Sequence, residues 1–305
     1  MAAAVSGCGG SAGSAPAVRI ALDFTPNAAH AGIFAAAAGS RTARAHGVRL
    51  VVRQPAASTD SLKLLLSGRA ELAVVDIHDL GLARQSGADV VGVGALVQRP
   101  LAAVIGGAGV ARPRQLQGKR VGVTGLPSDE AVLRAVVQGD GGDYGRVRRV
   151  TIGFSAVPSL VAGRVAAATA FWSVEGVALR ARGVRTHEFR VDDFGAPRYP
   201  ELVVVTTRAL LRARRGVVRR ALAALADGTR AALARPAPVV AAIARAAQAD
   251  PALVRAQLAA IRPALSPPLR LDRRALAGWA AFDVRFGILR REPDLARAFD
   301  LTLAP

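Results

Sequence analysis

Aromatic, carboxyl, amide and imidazole side chains follow directly after several short apolar runs in this chain of 305 residues. One run is followed by Phe24, Asn27 and His30, and a later one by Asp76 and His78. Aromatic rings stack on flat molecules, and the polar groups exchange hydrogen bonds with them. Asn and Asp in such positions could instead cap the helices that follow. The residue types therefore favour the binding of a flat, polar small molecule, with helix capping as the alternative.

Three further clusters come later in the chain. Ser128 is a good helix N-cap after the apolar run 120–123, and a helix N-terminus also favours anions. Trp172 and Glu175 stand together after another run. An indole beside a carboxylate suits an aminated heterocycle, which stacks on the ring while its amine donates to the carboxylate. Tyr199 lies in a loop that could close over a cleft or simply turn.

Several known catalytic and metal-binding motifs are missing from the sequence. It contains no Gly-rich phosphate loop, no nucleophile elbow and no His-Glu-x-x-His helix. The four histidines lack metal-ligand spacing, and the single cysteine, Cys8, can form neither an intramolecular disulfide nor a thiolate cluster. We therefore expect no cofactor, no metal site and no catalytic residues.

Short apolar runs alternate with longer Ala/Leu/Arg segments, which predicts an α/β fold with helices covering a parallel or mixed sheet. After about residue 208 the pattern becomes almost wholly helical. The ten predicted strands are Arg19–Leu22, Arg49–Arg53, Leu72–Val75, Val90–Val97, Ala102–Gly106, Arg120–Val123, Val147–Thr151, Ala167–Phe171, Arg185–Arg190 and Leu202–Thr206.

Two composition breaks divide this pattern, a Gly-rich stretch at 106–109 and Thr206-Thr207. If the chain leaves one lobe at the first break and returns at the second, the two strands form a hinge. The expected architecture is a clamshell whose first lobe comprises residues 18–107 plus 207–305 and whose second comprises 108–206. Its cleft would hold a small ligand between strand-end loops of both lobes.

The net charge of +19 raises the question of a polyanion partner. All but two of the 41 basic residues are arginine, and they are spread along the chain, while aromatic residues make up only 4%. A nucleic-acid footprint needs basic residues gathered on one face, with aromatics for stacking. We therefore expect no nucleic-acid partner, and a polyanion-binding module is kept as an alternative that predicts salt-dependent retention on heparin.

The N-terminal segment 1–17 resembles the end of a bacterial lipoprotein signal. Small residues precede Cys8, and a Gly/Ser/Ala-rich stretch follows it as a flexible tether. The positive n-region and full apolar h-region are missing, so we expect a truncated signal. This predicts an extracytoplasmic protein that is anchored to the membrane by a lipid on Cys8.

Taken in order, these segments resemble one family of periplasmic-type substrate-binding proteins. That family includes the importers of thiamine pyrimidine precursors and of riboflavin, and it also contains the fungal thiamine pyrimidine synthase. The resemblance covers nearly the whole chain and rests on Ala21–Asn27, Val121–Glu130, Tyr199–Thr206 and the tail from Trp279 to Phe299.

The resemblance implies a type II clamshell that passes its ligand to an ABC permease, and we expect a monomer. It places Asn27, His30, Trp172 and Glu175 on family positions associated with the cleft, with Phe24 where the family usually has Trp. The hypothesis is that this protein binds a thiamine pyrimidine precursor; riboflavin and a small sulfonate are the alternatives within binding. The full set of expected ligand-binding residues is Phe24, Asn27, His30, Asp76, His78, Ser128, Trp172, Glu175 and Tyr199.

The enzyme branch of the family provides an alternative of another class. The synthase takes its pyrimidine from pyridoxal phosphate and one of its own histidines, the position that His78 matches here. The position of the cofactor lysine is Val74, which cannot form an imine, and the cysteines that precede the hinge strand in the enzyme are missing. We therefore expect no synthase activity.

Overall fold

The computed structural model describes residues 15–37, 41–57, 60–126 and 128–304. All ten predicted strands are present in this part of the chain, with ends that differ by one or two residues. They are β1 (Ala17–Ala21), β2 (Arg49–Arg53), β3 (Leu72–Asp76), β4 (Val90–Ala95), β5 (Ala102–Gly107), β6 (Arg120–Val123), β7 (Arg148–Thr151), β8 (Ala167–Phe171), β9 (Thr186–Arg190) and β10 (Leu202–Thr207).

Helices connect the strands and make up almost all of the chain after β10. They are α1 (Ala31–Ala37), α2 (Arg41–Ala45), α3 (Asp60–Leu66), α4 (Ile77–Gln85), α5 (Ser128–Gly139), α6 (Ala156–Val161), α7 (Val177–Ala181), α8 (Arg208–Ala234), α9 (Pro236–Ala247), α10 (Pro251–Ile261), α11 (Arg273–Arg285) and α12 (Leu295–Ala298). Within the described ranges, none of them is both long and apolar enough to span a bilayer.

The strands form two five-stranded sheets. The first has the order β2-β1-β3-β10-β4 and the second the order β7-β6-β8-β5-β9. β1, β2 and β3 are parallel to one another, and β10 runs antiparallel to β3 and β4. In the second sheet β6, β7 and β8 are parallel and β5 is antiparallel. At one end of the strands in each sheet, the carboxyl ends of the parallel strands therefore lie beside the amino ends of the antiparallel strands.

The strand pairing shifts both expected lobe boundaries. β5 pairs only with strands of the second sheet, and β10 pairs only with strands of the first. Lobe 1 therefore contains residues 17–95 and 202–304, lobe 2 contains 102–190, and the chain crosses at 96–101 and 191–201. The break at 107/108 follows the end of β5, and the break at 206/207 lies before the last residue of β10. The crossings instead precede both strands, because a strand belongs to the sheet with which it pairs.

One buried carboxyl group ties the two crossing segments together. Glu201, at the end of the second crossing, accepts hydrogen bonds at Oε2 from the backbone N–H groups of Leu101 (2.6 Å) and Ala102 (3.2 Å). Its side chain is fully buried, and burial raises its pKa. The hinge is thus held by side-chain contacts in addition to the continuity of the chain.

The helical segment after β10 returns along lobe 1, and α8 packs closely against α1. The crossing point is at Gly32 of α1 and Gly228 of α8. A Cβ atom added at Gly228 would lie 2.3 Å from the carbonyl oxygen of Gly32. Only glycine at this position lets the two backbones approach so closely.

Candidate functional site

A cleft of about 620 Å³ lies between the two lobes, at the strand ends described above. Its walls come from segments that follow the parallel strands β1, β2, β3, β6, β7 and β8, and from the first residues of β5 and β10. In open α/β sheets, ligands bind outside the carboxyl ends of the strands, and clefts between domains are frequent ligand sites. This cleft is therefore the candidate binding site.

Two phenylalanines from different lobes meet at the cleft. Phe24 follows β1 and Phe154 follows β7, and their ring centroids are 4.2 Å apart in an edge-to-face arrangement. Phe171, at the end of β8, also lines the cleft. The lobes are therefore in contact in this structure, and the cleft has aromatic surface for a flat ligand.

Five carboxyl groups line the cleft, and none of the described residues that line it is Arg, Lys or His. Burial raises the pKa of four of the five above the ordinary value, since an ionised carboxylate is costly away from water. A ligand that donates hydrogen bonds or carries positive charge would offset this cost. The five residues are Asp23, Asp76, Asp79, Asp129 and Glu175, and burial raises the pKa of Asp76, Asp79, Asp129 and Glu175.

Glu175 reaches the cleft from a single π-helical turn, Trp172–Gly176, that follows β8. Its Oε2 atom accepts a hydrogen bond from the backbone N–H of Phe171 at 3.0 Å. Burial raises the pKa of Glu175 to about 7. At neutral pH this group can thus act as a hydrogen-bond donor in its acid form or as an acceptor in its ionised form.

Asp129 shapes the loop between β6 and α5. Its Oδ2 atom accepts hydrogen bonds from the Thr124 hydroxyl (2.8 Å) and from the N–H groups of Gly125 (2.9 Å) and Leu126 (3.1 Å). The Thr169 hydroxyl donates to Oδ1 at 2.5 Å. Asp129 therefore fixes the wall of lobe 2 that faces α4.

Ser128 and Asp79 join the lobes at the same place. α5 begins at Ser128 itself, so this residue is helical and is not the cap that the sequence predicts. Its hydroxyl lies 3.5 Å from Oδ2 of Asp79, at the limit of a hydrogen bond. Oδ1 of Asp79 is buried and has no hydrogen-bond partner among the described residues. A ligand donor would satisfy it.

Asn27 and His30, which were expected to contact ligand, lie behind the wall of the cleft. Asn27 accepts a hydrogen bond from the backbone N–H of Ala29 and begins the turn 28–30, as the capping alternative predicts. His30 is fully buried, and its Nε2 atom is 2.8 Å from Oδ1 of Asp23. These residues therefore position Asp23, which does line the cleft.

His78 and Tyr199 also lie outside the cleft lining, in a buried network of lobe 1. His78 Nδ1 is 2.5 Å from Oδ1 of Asp283 on α11, and its Nε2 is 3.1 Å from the hydroxyl of Tyr199. Although burial alone would lower it, the carboxylate of Asp283 and then that of Asp76 raise the pKa of His78 to about 10. Asp76 caps α4 by accepting from the N–H of His78, so the network supports this cleft residue.

Trp172 is directed away from the cleft lining. Its indole N–H donates to the carbonyl of Pro100 at 3.2 Å, and the guanidinium of Arg190 lies 4.2 Å from its ring centroid. Of the nine expected residues, the structure thus brings four together at the cleft: Phe24, Asp76, Ser128 and Glu175.

Sequence reasoning missed several lining residues. Asp79 was weighed with Asp76 as a ligand contact or a helix cap, and only Asp76 was selected. Asp129 stands beside the selected Ser128 and was not selected. Phe154 and Thr169 carry no local signal, because their approach to the cleft depends on how β7 and β8 pair with β6.

Comparison with known proteins was made on this fold and site. The model of the family described as NMT1/THI5 like matches residues 27–239. The chain belongs to this family. A formylaminopyrimidine-binding protein of Halalkalibacterium halodurans is 32% identical over 195 residues, which cover 63% of this chain and 59% of that protein.

Solved structures with the same fold include binding proteins and an enzyme. The alkanesulfonate-binding protein SsuA from Xanthomonas axonopodis, bound to MOPS, superposes with a TM-score of 0.74 at 19% identity, covering 93% of this chain and 98% of that one. The desulfurization enzyme DSZB superposes with a TM-score of 0.64 at 16% identity, over 94% and 97% of the chains. The likeness confirms the two-lobed periplasmic-binding-protein fold, and the fold alone does not choose a function.

Proposed function

We propose that this protein is the substrate-binding protein of an ABC importer and that it captures a small aminated heterocycle, a thiamine pyrimidine precursor, in the interlobe cleft. The observation that carries the proposal is the composition of the cleft, with five carboxyl groups and phenylalanine rings but no basic residue among the described residues of its lining. The family match and the relative that binds formylaminopyrimidine support the same ligand class.

The electrostatics of the cleft favour this ligand over a sulfonate. A sulfonate has only acceptor oxygens and a full negative charge, so it needs Arg, Lys or free backbone N–H groups. The lining supplies carboxyl groups instead, and burial has already raised the pKa of Asp76, Asp79, Asp129 and Glu175. An aminopyrimidine brings N–H donors and a ring nitrogen.

The roles of the side chains follow from where they lie. Phe24, Phe154 and Phe171 provide the stacking surface, and Glu175 pairs with the amine and the adjacent ring nitrogen. This pair holds one proton between carboxyl and ring nitrogen, whichever of the two carries it. Asp79 receives a further donor at its unpartnered Oδ1 atom. The residues behind the wall hold these groups in place.

Isothermal titration calorimetry on the full chain tests the proposal. Hydroxymethylpyrimidine and its formylamino precursor are expected to bind with dissociation constants of micromolar or lower, and Glu175→Ala is expected to weaken both at least tenfold. Riboflavin, an alkanesulfonate and pyridoxal phosphate complete the panel. Tight binding of the sulfonate with no response to the pyrimidines would contradict the proposal.

The synthase alternative has its own readout. His78, which matches the histidine of the synthase, is fully buried and bonded to Asp283 and Tyr199, and Val74 lies within β3 between β1 and β10. Neither residue lines the cleft. Formation of an imine absorbance band with pyridoxal phosphate, together with an iron requirement, would favour the enzyme.

We also propose the lipid anchor at Cys8 and delivery to an ABC permease by a monomer. Cys8 lies outside the described residues, so its neighbourhood in the sequence supports the anchor. Metabolic labelling with a fatty acid in a bacterial host, with a cysteine-free export signal fused ahead of Met1, is expected to label the wild type and not Cys8→Ser.

A further inference from the structure

The cleft is larger than its polar part. Beyond the carboxyl groups it continues along α3 and α4, where apolar side chains form most of the wall and Ser61 and Ser86 lie beside them. We call this region the apolar annex, and it consists of Leu62, Leu66, Leu82, Ala83 and Ala88.

The annex is continuous with the polar site because both use one face of α4. Leu82 and Ala83 follow Asp79 by three and four residues, which places all three on the same side of the helix. On α3, Leu62 and Leu66 are four residues apart and share a face in the same way. A ligand that reaches Asp79 therefore lies next to the annex.

No side chain of the described protein fills the annex, although the lobes are in contact. Leu66 is 51% exposed and is one of three large hydrophobic side chains that are exposed in the described residues. Phe24 and Phe154 already touch across the cleft, so the two lobes are already closed at this point. The exposed apolar surface persists in this contacting arrangement.

Size leads to the same conclusion. At the roughly 30 Å³ that each non-hydrogen atom takes in liquid water, a heterocycle of about ten such atoms occupies on the order of 300 Å³. The cleft of about 620 Å³ is roughly twice as large. A single substituted ring leaves the annex to water, which is unfavourable against apolar side chains.

We propose that the ligand of this cleft carries an apolar substituent or a second ring on its polar heterocycle, and that the apolar annex binds this group. The inference rests on the proposed function for the polar half of the ligand only. It makes Leu62, Leu66 and Leu82 specificity-determining residues.

Calorimetric titration of the full chain with two matched probes tests the proposal. The first is hydroxymethylpyrimidine and the second is its benzyl ether, which adds one apolar ring. We expect the ether to bind at least tenfold more tightly than the parent. In Leu66→Asp this ratio is expected to fall to about one, and Val161→Asp, at a position 55% exposed and outside the cleft, is expected to keep the wild-type ratio.

The outcomes separate the two proposals. If the parent binds but the ether binds equally or more weakly, the annex proposal is overturned and the proposed function stands. If neither pyrimidine binds, the proposed function fails. A neutral apolar dye then tests whether the apolar annex binds apolar groups. Nile red fluorescence is then expected to rise with the wild type and Val161→Asp but not with Leu66→Asp; an equal response of all three proteins would overturn the annex proposal.

Discussion

At the scale of single residues, Glu175 links the ligand site to pH. Burial holds its pKa at about 7, whereas the proposed complex keeps one proton between its carboxyl group and the ring nitrogen. As pH rises above 7, free Glu175 loses a proton that binding must take up again, so affinity falls about tenfold per pH unit.

Titrations of hydroxymethylpyrimidine between pH 6.5 and 9 measure this slope. Glu175→Gln does not titrate and retains both a donor and an acceptor, so its affinity is expected to change much less with pH over the same range. A wild-type affinity that stays constant up to pH 9 would show that Glu175 does not share a proton with the ligand.

His78 gives a second prediction at this scale, concerning stability. Its pKa is raised from 6.5 to about 10, so the folded state binds its proton more tightly than the unfolded state does. The stabilisation is complete below pH 6.5 and is lost as pH rises through 10. Urea unfolding is expected to show this loss.

Asp283→Asn is the informative variant for the buried pair. Removing one partner of a buried ion pair costs roughly 3–5 kcal/mol, because the other charge is left unpaired. The unfolding free energy of the variant is expected to drop by that order and to lose most of its dependence on pH between 6.5 and 10. If the unfolding free energy of Asp283→Asn changed with pH as that of the wild type does, the His78–Asp283 pair would not be the source of the pH dependence.

At the scale of elements, the crossing of α1 and α8 depends on the missing side chain of Gly228. Its added Cβ would meet the backbone of Gly32, which cannot move aside as a flexible side chain can. Gly228→Ala is therefore expected to lower the unfolding free energy by about 1–3 kcal/mol, the usual cost of overpacking.

Gly216 on the same helix is the matched control. A Cβ there meets nothing nearer than the Arg220 guanidinium at 3.6 Å, and Ala is favoured over Gly in a helix by about 1 kcal/mol. Gly216→Ala is expected to leave stability unchanged or raise it slightly. Equal effects of the two substitutions in urea unfolding would contradict the close-contact explanation.

The elements also show what sequence can predict. All ten strands were predicted, most of them as short apolar runs, but the sheet to which β5 and β10 belong was not, since pairing is decided between distant segments. The directions of the side chains were not predicted either, because they also depend on contacts between distant segments. The π-helical turn after β8 brings Glu175 into the cleft and leaves Trp172 out of its lining, and nothing in the local sequence indicates such a turn.

At the scale of the whole molecule, the Phe24–Phe154 contact joins the two lobes. An aromatic pair contributes about 0.5–1.5 kcal/mol, and 1.4 kcal/mol changes an open–closed equilibrium tenfold. Phe154→Ala is therefore expected to open the ligand-free protein, with a larger radius of gyration in small-angle X-ray scattering, and saturating ligand is expected to close it again. Val161→Ala should scatter as the wild type does. Identical ligand-free radii for Phe154→Ala and the wild type would disprove this role.

The position of β10 between β3 and β4 has a consequence for synthesis of the chain. Of the ten strands of the described residues, β10 is the last to leave the ribosome, yet it occupies an interior place in the first sheet. Lobe 2 is one continuous segment and is complete before residue 202 has been translated. The nascent chain thus carries a finished second lobe beside an unfinished first one. Until β10 arrives, the facing edges of β3 and β4 are the unpaired strands that a chaperone would need to protect from aggregation.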